Sequence, residues 1–284
     1  MHLKDALNSA IDRLTAAQVG SPRLNAETLL MFTLNCDRAH LFAHPERLLT
    51  PPEQIRYQDA LAQRARGVPA QYITGHQEFW GMDLIVSPAV LIPRPETEHL
   101  VEAALTLSLS PNPRIVDVGT GSACIALALA KELPRAAIHA TDLSPAALEI
   151  ARANTARHRL DSHITFHQTD LLSGFDPATF DLIVSNPPYV GESEEDQVQL
   201  EVRKFEPRDA VFAGPTGLEV IERLIPQARD ALKPGGFLAM EISGTIVEGV
   251  KPLLTGWSQL RIINDLQGIP RIALAAKPSR PLAL

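Results

Sequence analysis

A short apolar run that stops at two prolines constrains the fold of this sequence more than any other feature. Residues 182–184, Leu-Ile-Val, have the bulk and partial β-branching typical of a strand buried on both faces. The strand has to end at Asn186, because Pro187 and Pro188 have no N–H to donate to a ladder and each restricts the residue before it. The pattern predicts a stiff turn at the carboxyl end of a buried strand, which is where open α/β sheets bind ligands.

This turn places two hydrogen-bond acceptors beside an aromatic ring. The side-chain oxygen of Asn186 and the main-chain carbonyl of Pro187 can both accept hydrogen bonds from one NH2 group, and Tyr189 offers a flat face for a planar group. We therefore predict that Asn186, Pro187 and Tyr189 are catalytic residues, and that they bind the substrate together with Pro188. The ligand that suits them is a planar amino or amide nitrogen.

A second motif has the pattern of strand, glycine turn and helix. Residues 114–118 are typical of a strand, Gly119 and Gly121 let a ligand approach the main chain, and the helix that follows offers unpaired N–H groups. A dinucleotide site would have a third glycine at position 124, which here is Cys124, and this counts against NAD. The residues predicted to form a cofactor loop are Gly119, Thr120, Gly121, Ser122 and Ala123.

Acidic residues follow the next two predicted strands. The strand at 136–141 is followed by Asp142, about 20 residues beyond the glycines, the offset at which a carboxylate can accept both ribose hydroxyls. The strand at 164–168 precedes Asp170, which can accept from an exocyclic amine, and Leu171, which can pack on a base. We predict that these three side chains bind a cofactor with a nucleoside group.

The helix after Asp142 has a clear start signal. Ser144 is predicted to cap it and Pro145 to occupy its first position. Leu143 is predicted to pack against Leu148 as a hydrophobic staple.

The first 74 residues have helical patterns alone. Ser21 and Pro22 form the pattern of an N-cap followed by a first-turn proline, and Thr50 and Glu53 have the spacing of a capping box. We assign this region to a small helical bundle that recognises the substrate. The apolar residues that share one face of its first helix are Leu3, Leu7, Ile11 and Leu14.

Two segments lead into the second domain. Residues 75–92 have a pattern typical of a β-hairpin and are predicted to link the two domains, and residues 93–284 are predicted to form the larger domain. Arg94 lies between two prolines, and because a simple linker does not need so stiff a setting, we predict that it contacts the cofactor. Glu96 or Thr97 is predicted to begin a helix that runs through residue 107.

Strands and helices alternate from residue 114 onward, which predicts a doubly wound α/β sheet. A helix is expected over 218–232, and Lys233–Gly236 is expected to stop it before a strand at 237–242. The last strands, at 260–264 and 271–276, are predicted to form an antiparallel edge. The predicted cofactor and substrate residues then all follow the carboxyl ends of strands.

Composition limits the partners. The 284 residues suit about two domains, and 33 acidic against 26 basic residues give a net charge of −7, which disfavours nucleic acid as a direct partner. The longest apolar runs are too short for a membrane span and the N-terminus lacks a signal-peptide pattern, so we predict a cytoplasmic, membrane-free protein. Cys36 and Cys124 are too few for a disulfide framework or a metal site. A monomer is the default expectation.

These motifs together resemble a known family. The chain is similar, over nearly its whole length, to the release factor glutamine methyltransferases (PrmC/HemK), which are class I methyltransferases dependent on S-adenosylmethionine. In place of the family's Glu-Ile-Gly motif it has Glu241-Ile-Ser-Gly. The segments that carry the resemblance are Gly75–Trp80, Ile92–Glu98, Asp117–Gly121, Asp142, Asp170 and Asn186–Tyr189.

The resemblance implies a fold, a reaction and a site. The fold would be a small N-terminal helical bundle followed by a class I methyltransferase Rossmann-like α/β sheet with an antiparallel last strand. The reaction would transfer a methyl group from S-adenosylmethionine to the side-chain amide N5 of the glutamine in the Gly-Gly-Gln motif of class I release factors, leaving S-adenosylhomocysteine. Residues 119–123, Asp142 and Leu171 would line the cofactor site, Asn186 would adjoin it, and residues 186–189 would hold the glutamine.

Other functions remain open at this point. A DNA or RNA adenine-N6 methyltransferase can use the same turn to hold a flipped base, although the negative charge and the lack of a basic, aromatic-interleaved segment count against it. Another protein or small-molecule amide or amine is a nearer alternative acceptor. A non-catalytic adaptor would need neither the glycine turn nor residues 186–189.

Overall fold

The computed structural model describes residues 1–279 and divides into two compact units. Within the described residues, the N-terminal unit comprises 1–76 together with 199–205, and the C-terminal unit comprises 77–198 and 206–279. No helix of the described chain is both long and apolar enough to cross a membrane.

The helices follow one another along the chain in both units. They are α1 (Leu3–Ala16), α2 (Pro22–Leu34), α3 (Arg38–Ala43), α4 (Pro51–Ala65), α5 (Ala70–Thr74), α6 (Glu98–Leu105), α7 (Cys124–Glu132), α8 (Pro145–His158), α9 (Leu200–Phe205), α10 (Glu219–Ala231) and α11 (Val247–Leu253).

The strands lie in the C-terminal unit, apart from the first residue of the hairpin. They are β1 (His76–Phe79), β2 (Met82–Ile85), β3 (Arg114–Val118), β4 (Ala137–Asp142), β5 (Ile164–Gln168), β6 (Phe180–Ser185), β7 (Val190–Gly191), β8 (Phe212–Gly214), β9 (Leu232–Glu241), β10 (Ser258–Asn264) and β11 (Pro270–Ala276).

The N-terminal unit is helical, as predicted. Its core is apolar, and the Tyr57 hydroxyl donates to the Ala26 carbonyl at 3.0 Å, which satisfies the polar atom of a fully buried ring. The capping box at the start of α4 is confirmed, because Thr50 N donates to Glu53 Oε2 at 2.8 Å and Glu53 N donates back to Thr50 Oγ1. Fully buried residues of this core include Leu3, Leu14, Leu29, Leu30 and Leu61.

The start of α2 differs from the prediction. Pro22 does occupy the first helical turn, but Ser21 has φ 48° and its side chain makes no capping hydrogen bond, so the predicted Ser21 cap is wrong. Asn25 Nδ2 donates instead to the carbonyls of Gly20 and Ser21. The left-handed backbone at Ser21 is thus held by a side chain from inside the helix.

A buried arginine ties α9 into the N-terminal unit. Arg64 is 5% exposed, and its Nε donates to Asn25 Oδ1 at 2.7 Å while its Nη2 pairs with Glu201 Oε2 at 2.7 Å. A buried guanidinium has to be paired and hydrogen-bonded, and residues 199–205 supply one of its partners.

The predicted doubly wound sheet is confirmed in the C-terminal unit. Within the described residues its order is β10-β11-β9-β6-β3-β4-β5, with β9, β6, β3, β4 and β5 parallel. The late strand β11 runs antiparallel to both β9 and β10, as the sequence predicted. Apolar clusters cover both faces of the sheet, as a mostly parallel sheet requires.

Strand register aligns the carboxyl ends of the central strands. Val118 pairs with both Ser185 and Thr141, and Ser185 pairs with Met240. The Ser185 hydroxyl also donates to the Val118 carbonyl at 2.8 Å. The residues that follow these positions therefore meet at one edge of the sheet.

The segment Lys233–Gly236 belongs to β9 but contains a local bend. Gly235 has φ 81°, and Phe180 pairs with Leu232 whereas Leu182 pairs with Phe237, so the extra residues of β9 form an irregularity in the ladder. The predicted helix stop is confirmed, and the predicted turn takes the form of this irregularity inside β9 rather than preceding the strand. Proline and glycine are accommodated at such irregularities because the ladder is already interrupted there.

The hairpin prediction is confirmed for β1 and β2. Trp80 and Gly81 connect the strands with φ values of 55° and 66°, and positive φ at both positions is what a type I′ turn requires.

Two histidines and two phenylalanines form a cluster on β4, β5, β6 and the segment that joins β5 to β6. His139 Nδ1 lies 2.9 Å from His167 Nε2, so at least one of the rings has to be neutral. Phe175 and Phe180 contact the His139 ring edge-on. Partial burial, together with the nearby His167 and Arg114, lowers the pKa of His139 from 6.5 to about 4.

This cluster predicts acid sensitivity of the C-terminal unit. Between pH 6.5 and 4 the unfolded chain binds a proton at His139 that the folded chain does not. The contribution of His139 to the free energy of unfolding is therefore constant above pH 6.5 and decreases as the pH falls toward 4. We expect a His139→Gln variant to lose about 1–2 kcal/mol less over that range than the parent, after allowance for partial exposure.

Urea titrations at pH 7, 5.5 and 4.5 measure this difference. Trp80 and Trp257 are the chain's two tryptophans and both lie in the C-terminal unit, so their fluorescence follows this unit. A His44→Gln variant, which removes a half-exposed histidine, should keep the parent's pH dependence. Equal pH dependence in the parent and in His139→Gln would contradict the assignment.

Candidate active site

A cavity of about 630 Å³ lies at the carboxyl ends of β3, β4 and β6. Most of the predicted site residues line it, whereas the lining does not include Ala123, Pro187 or Tyr189. Its volume is in the usual range for a small-molecule or cofactor site. The predicted residues that it brings together are Arg94, Gly119, Thr120, Gly121, Ser122, Asp142, Asp170, Leu171, Asn186 and Pro188.

The glycine loop exposes its main chain to this cavity. Gly119 and Gly121 have φ values of 71° and 54°, and a Cβ added at either would meet no atom within 4 Å. The N–H groups of Gly119 and Thr120 both donate to the Thr141 carbonyl at 2.9 Å, which ties the loop to the end of β4. A ligand can therefore approach the loop closely along the side where side chains are missing.

Asp142 is held by two main-chain donors. Its Oδ2 accepts from Gly121 N and its Oδ1 accepts from Ser144 N, each at 2.9 Å. A carboxylate has about four acceptor positions, so each oxygen can accept a further hydrogen bond from a ligand. The predicted cap of α8 is confirmed, because Ser144 Oγ accepts from Ala147 N at 3.2 Å.

Leu143 has a different environment from the one predicted. It is 67% exposed and lines the cavity, whereas Leu148 is buried, so the predicted staple between them is wrong. Leu143 follows Asp142 directly and presents an apolar surface to whatever the cavity holds.

The buried side chain of Asp117 supports the glycine loop through hydrogen bonds. It is fully buried, its Oδ2 accepts from Thr120 Oγ1 at 2.6 Å and from Ala126 N at 3.2 Å, and burial raises its pKa to about 7. These hydrogen bonds join the end of β3 to the loop and to the first turn of α7.

Asp170 and Leu171 lie on the loop after β5. Asp170 pairs with Arg223, which also lines the cavity and which the sequence did not indicate as a site residue. Both side chains are about half exposed, so this pair is screened by solvent and contributes little stability. Leu171 has φ 53°, an uncommon conformation for a leucine, and also lines the cavity.

Arg94 is anchored by a buried carboxylate from a distant part of the chain. Its Nη2 pairs with Oε1 of Glu206, whose side chain is 1% exposed, and Ile92 N donates to Oε2 of the same carboxylate at 3.1 Å. Glu206 therefore fixes both the main chain and the charged side chain of the loop before α6. Sequence reasoning missed Glu206, because nothing local connects it to Arg94.

The turn after β6 is fixed by a chain of hydrogen bonds. Asn186 Nδ2 donates to Thr97 Oγ1 at 3.2 Å, Thr97 Oγ1 donates to Glu241 Oε2 at 2.7 Å, and the Tyr189 hydroxyl donates to Glu241 Oε1 at 3.0 Å. Thr97 ends a 3₁₀ turn at Pro95–Thr97, and Glu241 is the last residue of β9. Burial raises the pKa values of both Glu241 and Tyr189.

Close packing also holds this turn. A Cβ added to Gly217, which has φ 83°, would lie 2.5 Å from the Tyr189 carbonyl oxygen and 3.0 Å from Gly191 N. Pro187 is buried and the Tyr189 ring packs against the apolar cluster on one face of the sheet. The turn that carries Asn186 is therefore held in place by close packing.

Solved structures place this architecture among the Rossmann-like methyltransferases. A methyltransferase from Pyrococcus furiosus has a TM-score of 0.52 at 22% identity, covering 70% of this chain and 90% of that chain. A SAM-dependent O-methyltransferase from Thermotoga maritima has a TM-score of 0.51 at 16% identity, covering 71% and 75%. At these identities the likeness establishes the fold.

Sequence comparisons define the family. The PrmC N-terminal domain model matches residues 5–75, and the methyltransferase small domain model matches residues 97–204. A release factor glutamine methyltransferase from Koribacter versatilis is 55% identical over 98% of this chain and 100% of that protein. One from Moorella thermoacetica is 42% identical over 97% and 98%. The chain belongs to the release factor glutamine methyltransferase family.

The geometry around Arg94 predicts a stability effect. Glu206→Ala leaves Ile92 N and the Arg94 guanidinium without their buried acceptor, so we expect the free energy of unfolding of the C-terminal unit to fall by about 1–3 kcal/mol. Urea unfolding followed by tryptophan fluorescence measures this. Glu222→Ala, at an exposed position on α10, should change it by no more than about 0.5 kcal/mol. Equal stabilities of the two variants would contradict the anchoring role.

Proposed function

We propose that this protein transfers a methyl group from S-adenosylmethionine to the side-chain amide N5 of the glutamine in the Gly-Gly-Gln motif of class I release factors. The observation that carries the proposal is that Asn186 lines the same cavity as the glycine loop and Asp142. The methyl donor and the acceptor nitrogen can then meet within one cavity. The names of the relatives support the choice of substrate.

The residues of the cavity fit the proposed cofactor. Asp142 keeps acceptor positions for ribose hydroxyls, and the main chain at Gly119 and Gly121 is open to close approach. Leu143 and Leu171 provide apolar contacts for a base, and Asp170 can accept from its exocyclic amine. When bound, S-adenosylmethionine supplies an electrophilic methyl group on a positively charged sulfur.

The acceptor needs assistance because an amide nitrogen is a poor nucleophile. Complete loss of amide conjugation would cost on the order of 18–20 kcal/mol, the barrier to rotation about the C–N bond, so the site has to work by partial localisation of the lone pair. The Asn186 side-chain oxygen and the Pro187 carbonyl would accept the two N–H bonds of the substrate amide and stabilise the positive charge that develops on nitrogen. Positioning contributes up to roughly 7–11 kcal/mol in a near-attack geometry.

The substrate assignment is tested by incubating the protein with labelled S-adenosylmethionine and one of three acceptors. These are a class I release factor, the same factor with its Gly-Gly-Gln glutamine replaced, and duplex DNA. Label on the unsubstituted factor alone supports the proposal. Label on DNA would favour the adenine-N6 alternative, and label on the substituted factor would indicate another protein side chain.

Asn186 should control the chemical step. We expect Asn186→Ala to lower kcat by about 10²–10³, as for loss of one preorganised polar group, while the affinity for S-adenosylmethionine stays within about threefold. Single-turnover methylation and calorimetry measure the two quantities. Turnover equal to that of the parent would reject the role of Asn186.

Asp142 should control cofactor binding. We expect Asp142→Ala to weaken S-adenosylmethionine binding by about 10–100-fold, since two hydrogen bonds to ribose are lost, with the C-terminal unit still folded by tryptophan fluorescence. Asp230→Ala, at an exposed position on α10, is the matched control and should bind normally. Normal affinity in Asp142→Ala would remove the ribose assignment.

The helical N-terminal region, residues 1–74, is proposed to recognise the release factor. Its match to the PrmC N-terminal domain supports this role. The monomeric state and the cytoplasmic location stay predictions.

A further inference from the structure

The carboxamide of Asn186 has two different ends, and only one of them can receive an NH2 group. Its oxygen accepts hydrogen bonds and its nitrogen donates them. Rotation by 180° about the last side-chain bond would exchange the two without changing the shape of the cavity. The end that faces the cavity therefore has to be fixed by the neighbours of Asn186.

The Thr97 hydroxyl determines which end of the Asn186 carboxamide faces the cavity, because it has only one hydrogen atom to donate. Its hydroxyl has one hydrogen, which is donated to Glu241 Oε2 at 2.7 Å, so its oxygen can only accept from Asn186. The nitrogen end of Asn186 must face Thr97. Within the part of the chain that the structure describes, Asn186 Oδ1 accepts no hydrogen bond, so its lone pairs remain for a ligand in the cavity.

Glu241 sets the direction of the whole chain of hydrogen bonds. In its ionised form Glu241 can only accept, and its two oxygens then receive the hydroxyl hydrogens of Thr97 and Tyr189. Thr97 and Glu241 are each 1% exposed, which leaves little access for competing donors. Arg271 and Glu96 are the other charged groups whose fields reach Glu241.

We propose that Glu241, acting through Thr97, is a positioning residue that holds the oxygen of Asn186 toward the substrate NH2 group. This inference rests on the proposed function and adds two residues to it, Thr97, which lines the cavity, and Glu241, which does not. A reversed chain would turn the nitrogen of Asn186 toward the substrate. Two donors would then face each other, and the hydrogen bond that stabilises the charged nitrogen would be lost.

A double-mutant cycle between Thr97 and Asn186 tests the proposal. Thr97→Val keeps the shape of the side chain but has no hydroxyl, and we expect it to lower kcat by about 10–100-fold with the KM for S-adenosylmethionine unchanged. Thr97→Ser keeps the hydroxyl and should stay within about threefold of the parent. In an Asn186→Ala background, Thr97→Val should cost nothing further, because its effect passes through Asn186.

Glu241→Gln gives a second test with almost no change in size. A carboxamide cannot accept at both of its terminal atoms, so the hydrogen bond from Thr97 or the one from Tyr189 has to reverse, and only reversal at Thr97 affects Asn186. We therefore expect a smaller fall in kcat than in Thr97→Val, and the fall should disappear in the Asn186→Ala background. If Thr97→Val does not fold, as judged by tryptophan fluorescence, Thr97→Ala takes its place in the first cycle.

Two outcomes would overturn the inference. The first is a full kcat in both Thr97→Val and Glu241→Gln. The second is a loss of the same size with and without Asn186, which is what a merely structural effect would produce. Failure of the proposed function has a different signature, since the parent would then leave the release factor unlabelled. If it labels adenine instead, the same cycles on that acceptor still test the orientation of Asn186, because adenine also presents an NH2 group.

Discussion

The alignment of parallel strands at their carboxyl ends is the constraint on which the rest of this structure depends. Four paired residues lie side by side across four strands, and the next residue along the chain from each is one that the site uses. The four are Val118, Thr141, Ser185 and Met240. A shift of one residue in any pairing would move a side chain to the opposite face of the sheet. The bulky apolar residues of the strands, buried on both faces, make such a shift costly. The geometry of the site is thus a consequence of core packing.

Buried carboxylates then hold the loops that leave this edge. Asp117 binds the glycine loop through Thr120, Glu206 binds the loop of Arg94, and Glu241 binds the segments on both sides of the cavity. Each carboxylate is nearly inaccessible and receives at least two hydrogen bonds, which offsets the loss of its hydration. Packing also holds the turn after β6, where Pro187 is buried and Tyr189 packs on an apolar cluster. Polar anchors with directional bonds give all of these loops defined positions.

The sequence predicted the parts of this arrangement that depend on local pattern. Strand β5 was expected at its observed bounds, and the Ser144 cap follows from one residue and its neighbours. The anchors were not predictable in this way. Glu206 is 112 residues from Arg94 and Glu241 is 144 residues from Thr97, so no periodicity connects them.

Local pattern also failed where tertiary context decides the backbone. The segment Lys233–Gly236 has the composition of a turn, and it forms an irregularity inside β9, with Gly235 at φ 81°, rather than a turn that precedes the strand. Ser21 has the right chemistry for a cap, but its left-handed backbone points the side chain elsewhere. In both cases residue type indicated what was locally favourable, and other contacts determined what formed, namely strand pairing for β9 and the Asn25 side chain for Ser21.

Because residues 199–205 belong to the N-terminal unit, recombination within the gene can separate residues that pair in the folded protein. The chain crosses from one unit to the other at 76, returns at 199 and leaves again after 205, so neither unit is encoded by one uninterrupted stretch of the gene. A recombination event that exchanged only the first 76 codons would separate Arg64 from Glu201. The two parts of this unit are therefore expected to evolve as a pair, with substitutions at Glu201 following those at Arg64.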